Sequence, residues 1–234
     1  QGGTQQVASG GIATQTTINS NGVQEIKSGG SAAGTTVLVN GLETVSGHAE
    51  QTAIQGGTQQ VASGGIATQT TIDHDGIQNI LPGGSAYFTT INACNQNVSG
   101  YVSATTINSG GTQTVYSGGS ASLTTVNNGG RQHIAAQGAA SDTTVTSGGL
   151  LELEAAAQLT GFTSITSGTL SLSGDSGDYA VASLAADQAR VQLASGTTAG
   201  RKLTLGSLNG TASFLINTNL AAGTSDKIVI QGGA

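Results

Sequence analysis

Large side chains and charges are scarce in this sequence. Its 234 residues include no Trp, no Met, one Pro and one Cys, and aromatics make up 3%. A broad close-packed interior is hard to fill from such a set, whereas a thin, elongated core is not. The single cysteine, Cys94, excludes an internal disulfide framework and reads as a small buried or turn residue. Charged residues are 8% of the chain, and its six Lys and Arg never cluster into a phosphate-tracking stripe. With a net charge of −6, no phosphate-tracking basic stripe is available, so nucleic acid is excluded as a partner. Low charge with a mean hydropathy of +0.01 does not fit a charged disordered chain either. No apolar run approaches the ~20 residues of a membrane-spanning helix, so no membrane insertion by this segment is expected. The sequence opens on Gln1-Gly2-Gly3 inside a repeat with no leader pattern, and the expectation is an excerpt from a longer precursor.

Glycine is abundant instead, at 38 residues without the G-X-Y period of collagen. Internal repetition is plain. The run QGGTQQVASGGIATQTTI at residues 1–18 recurs letter for letter at 55–72, and the same frame returns at Gly110. Each 54-residue block divides into three units, so the elementary period is about 18 residues. Aligned units show two aliphatic columns, one through Val7, Ile26, Val45 and Val61, the other through Ile18, Val37, Ile54 and Ile72. Small residues such as Ala13, Ala32 and Ala49 lie between them. Each unit therefore reads as strand, glycine corner, strand, glycine corner.

Strands of three to five residues are too short for a sandwich. Stacking each one in register on its copy a coil away solves this, at a spacing of roughly 4.8 Å. The predicted fold is all-β, a right-handed parallel β-helix with coils of about 18 residues and a C-terminal capping segment. Paired glycines every nine residues or so exclude helix. The expected domains are a repeat region of about nine coils at 1–167, irregular coils at 168–196 and a cap at 197–234. The last segment has longer apolar runs, such as 213–217 and 226–230, suited to covering an open solenoid end.

Side chains alternate faces along a strand. If Ile18 points in, Thr17 and Asn19 point out. The outward row then contains Thr36, Thr71 with Asp73, Thr90 with Asn92, Thr106 with Asn108, Thr125 with Asn127, and Thr144. Stacked Thr and Asn also support parallel strands through hydroxyl contacts and amide ladders. The row as a whole is read as a recognition surface, because many equivalent polar groups on a rod suit multivalent, individually weak contacts. A second row, Gln5, Gln24, Glu43, Gln59, Gln78, Gln96, Gln113 and Gln132, shares parity with the inward valines. It is expected at a corner, in a structural role.

Catalytic patterns are not found. The twelve acids are scattered, Arg131, Arg190 and Arg201 stand apart, and no G-x-S-x-G, H-E-x-x-H or P-loop occurs. His48, His74 and His133 lack metal-ligand spacing. The acids in 73–76 and 175–178 read as turn residues rather than calcium ligands, since no calcium-binding nonapeptide repeat is present. The chain is expected not to be an enzyme and to use no cofactor or metal. Ice binding by a flat Thr array is disfavoured, because Thr alternates with Asn.

The unit G-G-x-Q-x-V-x-x-G-G-x-A-x-x-T-T followed by Ile or Val resembles the AIDA-type self-associating autotransporter adhesins of enteric bacteria. Residues 203–230 resemble the autochaperone that ends many autotransporter passengers, departing from it at Asn209-Gly210-Thr211. The resemblance implies a passenger displayed on the bacterial cell surface and anchored by an outer-membrane barrel absent from this chain. It also implies homotypic contact between cells, hence aggregation and biofilm formation, through polar side chains on one face. Direct adhesion to a host-cell receptor or matrix is the alternative, with the irregular units 40–55 and 93–109 as its candidates. Some members carry heptose on Ser within S-G-G-S-A-like sequences, a context that Ser31, Ser85 and Ser120 match.

Overall fold

The structure is a computed structural model that describes residues 2–174, 176–193 and 200–232. It is a parallel β-solenoid of about 11 turns, in agreement with the fold class read from the sequence. The first coil contains three strands, β1 (Thr4–Val7), β2 (Ile12–Thr14) and β3 (Thr17–Ile18), and each begins a column of parallel partners. Thr4 to Val7 pair with Val23 to Ile26, which pair in turn with Leu42 to Val45. The ladder bonds run between coils, as in Lys27 N–H to the Val7 carbonyl at 2.9 Å. A lone coil would leave these groups unpaired. Both aliphatic columns lie inside, with Val45, Ile54, Val61 and Ile72 fully buried, each contributing about 1.5–3 kcal/mol.

The coil differs from the expected two-strand unit. Ala13, Ala32, Ala49 and Ala67 form their own β2 column instead of bridging two strands. The corner between the β2 and β3 columns was hidden because it is a single left-handed residue and seldom a glycine. Its occupants include Gln15 (φ 52°), Gly34 (φ 67°), Gln51, Gln69, Phe88, Ala104, Leu123 and Asp142. A left-handed L-residue costs about 1–2 kcal/mol. The turn persists because its N–H continues the intercoil ladder, as in Gln15 N–H to the Ala33 carbonyl. The opposite kind of corner does need glycine. A Cβ on Gly65 would sit 2.0 Å from the Val45 carbonyl oxygen.

The glutamine row is not at a corner. It points inward from the middle of each β1-type strand, and Gln24, Gln59, Gln78, Gln96, Gln113 and Gln132 are fully buried. Burial of an amide requires partners, and the next coil supplies them. Gln78 Nε2 donates to Gln59 Oε1 at 2.6 Å, Gln96 to Gln78 at 2.7 Å and Gln113 to Gln96 at 2.8 Å. In most coils the first Thr of the Thr-Thr pair is also buried and donates to the same oxygens, as in Thr35 to Gln24 at 3.1 Å and Thr143 to Gln132 at 3.2 Å, whereas the Thr105 hydroxyl has no partner. An apolar core therefore encloses a polar spine.

One rung of that spine is a carboxyl. Glu43 Oε2 accepts from Gln59 Nε2 at 2.6 Å and from Thr52 at 3.1 Å, while its Oε1 has no partner. The register sets Glu43 against Gln24, where every other rung would donate an amide hydrogen. Burial pushes the Glu43 carboxyl above its ordinary 4.5, against the pull of the Gln59 and Thr52 hydrogen bonds.

The later coils lengthen. Gly177–Gln192 pairs in parallel with Arg201–Leu215, whose first half pairs with Lys227–Gly232. An antiparallel hairpin, Thr218–Asn219 with Thr224–Ser225, precedes that last strand. Arg201 is fully buried there, its Nε donating to the Gly174 carbonyl at 2.8 Å. Burial alone would raise the Asp226 carboxyl. The Asn217, Arg201 and Gly200 N–H groups and the Arg201 guanidinium outweigh it and hold the carboxyl below its usual range. The boundary expected at 196–197 lies outside the described residues, as does Asp175 of the 175–178 turn.

A carboxyl whose folded pKa is raised stabilises fully below its unfolded value and loses that contribution as pH climbs through the folded value. Glu43→Gln restores the missing amide donor. It should raise stability at mildly alkaline pH by about 1–3 kcal/mol, with the gain shrinking on acidification. Denaturant melts of both proteins across pH check this, and a gain independent of pH contradicts a raised Glu43 pKa.

Candidate functional site

The β3 column turns its alternate side chains outward. Thr17 pairs in register with Thr36, Thr36 with Ala53, Ala53 with Thr71, and the row continues through Thr90, Thr106, Thr125 and Thr144. The two-residue period of the strand fixes this, since Ile18, Val37, Ile72 and their successors fill the interior. Thr17, Asn19 and Thr144 are exposed, while Thr36, Thr71, Asp73, Thr90, Asn92, Thr106, Asn108, Thr125 and Asn127 are half-buried by their stacked neighbours.

The Asn row forms its own outer ladder. Asn92 Nδ2 donates to Asp73 Oδ1 at 2.8 Å, Asn108 to Asn92 at 2.7 Å and Asn127 to Asn108 at 2.8 Å. Thr146 ends it on Asn127 at 3.3 Å. Asp73, Asn92, Asn108 and Asn127 are thus brought together, whereas Asn19 is separated from them by the coils of Leu38 and Gln55. Each amide spends one hydrogen internally and keeps a second for solvent or a partner. The Thr71, Thr90, Thr106 and Thr125 hydroxyls have no hydrogen-bond partner within the described residues. The stripe combines a self-satisfied amide row with a parallel row of free hydroxyls. Such a face can form many short hydrogen bonds to a polar surface, with Asp73 as its only charge.

Spacing of about one coil also joins a cluster that was not anticipated. Arg131 Nε donates to Glu152 Oε2 at 2.9 Å, and the ring nitrogens of His133 lie 3.2 Å from Glu152 and 3.1 Å from Glu154. The signal was present in Arg131-x-His133 and Glu152-x-Glu154, visible once the coils are superposed. Among the described residues, no group of three or more His, Cys, Asp and Glu has metal-holding geometry. Cys94 is buried as a free thiol, in the column that Gly76 and Gly111 occupy in adjacent coils, and burial pushes it up.

No protein-family profile matches the sequence, and neither does any curated protein. Among solved structures, the TibC-catalyzed hyper-glycosylated TibA55-350 fragment matches 99% of this chain and 88% of its own, with a TM-score of 0.66 and 30% identity. The chain belongs to the TibA kind of β-solenoid passenger. The likeness to TibA runs through the longer C-terminal coils as well as the regular repeats. The AIDA-type resemblance of the repeat unit is supported at this level of kind.

Asn108 both donates to Asn92 and accepts from Asn127, so Asn108→Ala should cost about 1–2 kcal/mol for two partly exposed bonds. Thr106→Ala in the same coil should be near neutral. Unfolding midpoints of the two variants check the division between a structural Asn row and a free Thr row. Equal losses would contradict it.

Proposed function

We propose that this chain is the surface-displayed passenger of a Gram-negative autotransporter adhesin, joining neighbouring cells through contact between copies of itself. The carrying observation is the row of Thr hydroxyls with no internal partner, held in register from Thr71 to Thr125 beside the Asn ladder. A single exposed hydroxyl contributes little. A rod repeating it every coil, on a cell carrying many rods, gains by effective concentration. The likeness to TibA supports the passenger kind. Export through an outer-membrane barrel, aggregation and biofilm formation belong to this reading. So does the absence of catalysis, since the polar groups on this face activate no nucleophile.

Glycosylation, as in the hyper-glycosylated TibA fragment, is proposed here for Ser31, Ser85 and Ser120. All three are half-buried on the outward side of the β2 column. The intact mass of the surface-released chain should exceed that of its sequence by whole sugar units, and this excess should shrink when the three are changed to Ala; an excess that is absent, or that survives the substitutions in full, contradicts this assignment.

Changing Thr71, Thr90, Thr106 and Thr125 together to Ala leaves the Asn ladder in place. Cells expressing this variant should lose clumping while the purified chain keeps its β-type circular dichroism. Undiminished clumping would exclude the stripe. Mixing expressing with non-expressing cells separates the homotypic reading from adhesion to a host receptor or matrix, since only the former makes the expressing cells clump with one another in the absence of host material and leaves the non-expressing cells outside.

A further inference from the structure

Residues 76–130 contain no Asp, Glu, Lys, Arg or His, although the whole chain carries −6. The same span holds three of the four tyrosines. Its left-handed corner positions are Phe88 (φ 56°), Ala104 (φ 56°) and Leu123 (φ 52°). They follow one another up the rod, because Tyr87, Ser103 and Ser122 just before them are in register. Phe88 and Leu123 are 62% and 58% exposed. Elsewhere this corner carries Gly34 or polar residues such as Gln15, Gln51 and Asp142. Here the chain pays left-handed strain to place large apolar side chains in water, the kind of local cost that marks a surface in use. Tyr87 and Tyr101 stiffen the adjoining face, their ring centroids 5.9 Å apart, and Tyr101 Oη lies 2.9 Å from Ser122 Oγ.

We propose that this uncharged belt is where a second copy of the chain docks, the Phe88–Ala104–Leu123 ridge of one rod lying against the same ridge of the other. The inference rests on the self-association reading and names the anchor within it. Two rods of net negative charge repel along most of their length, and the belt is the stretch where they meet without like-charge contact. An apolar ridge is self-complementary about a two-fold axis, whereas a charged one would have to face its own sign. The ridge adjoins the Thr90, Thr106 and Thr125 row across one corner, so a pair of rods meeting there also brings the hydroxyls together. Two or three coils give a small contact and a weak pair, suited to reinforcement by many copies.

Asn tolerates the left-handed region, so Phe88→Asn with Leu123→Asn removes the apolar surface while fitting the turn. Sedimentation of the full chain over a concentration series, at low and high sodium chloride, reads the result. The double variant should weaken self-association about tenfold or more, as should Phe88→Gly with Leu123→Gly. Phe162→Asn, outside the belt, should not. Wild-type association should hold or strengthen with salt. Unchanged association in the double variant, or dissociation of the wild type by salt, overturns the ridge. If the Thr-to-Ala stripe variant still dissociates in that case, self-association itself stands. A wild-type chain that stays monomeric throughout overturns both.

Discussion

Each coil completes its hydrogen bonds only on another coil, and the rest of the molecule follows from that dependence. In-register parallel pairing places like positions above one another, so a residue type chosen once becomes a column. Aliphatic columns make a core from side chains too small to fill a globule. Glutamine columns make a buried spine whose amides satisfy one another. Asn and Thr columns make a face. The repeated sequence is efficient because it multiplies each of these local solutions along the rod.

The periodicity made much of this legible. Val7, Ile26 and Val45, and likewise Ile18, Val37 and Ile54, could be assigned to the interior from spacing and parity alone. What escaped were features that depend on the third dimension of the coil. The β2 column is not separable from the turns by sequence alone, because its alanines look like turn filler and the corner after it lacks the expected glycine. Gln24 and Gln59 shared parity with the valines, but polar character argued against the interior. Only the stacked geometry shows that an amide can be buried when its neighbours are amides too.

The candidate face was legible in position and incomplete in character. Alternation placed Thr90 and Asn92 outward together. Stacking then separated them into an Asn row already committed to internal bonds and a Thr row that is free. The apolar ridge beside them was invisible in the alignment of core columns, because Phe88 and Leu123 occupy a position that no periodic rule singles out.

The amide spine also has a direction. Every glutamine passes its hydrogen to the coil before it, from Gln132 to Gln113 and onward to Gln78 and Gln59. That vector has a definite end. Beyond Gln132 the next positions in register are Leu151, Leu170 and Val191, so the directed amide row gives way to a dry aliphatic column. The rod is thus two interiors in series, one held by bonds that point one way and one by packing that has no direction.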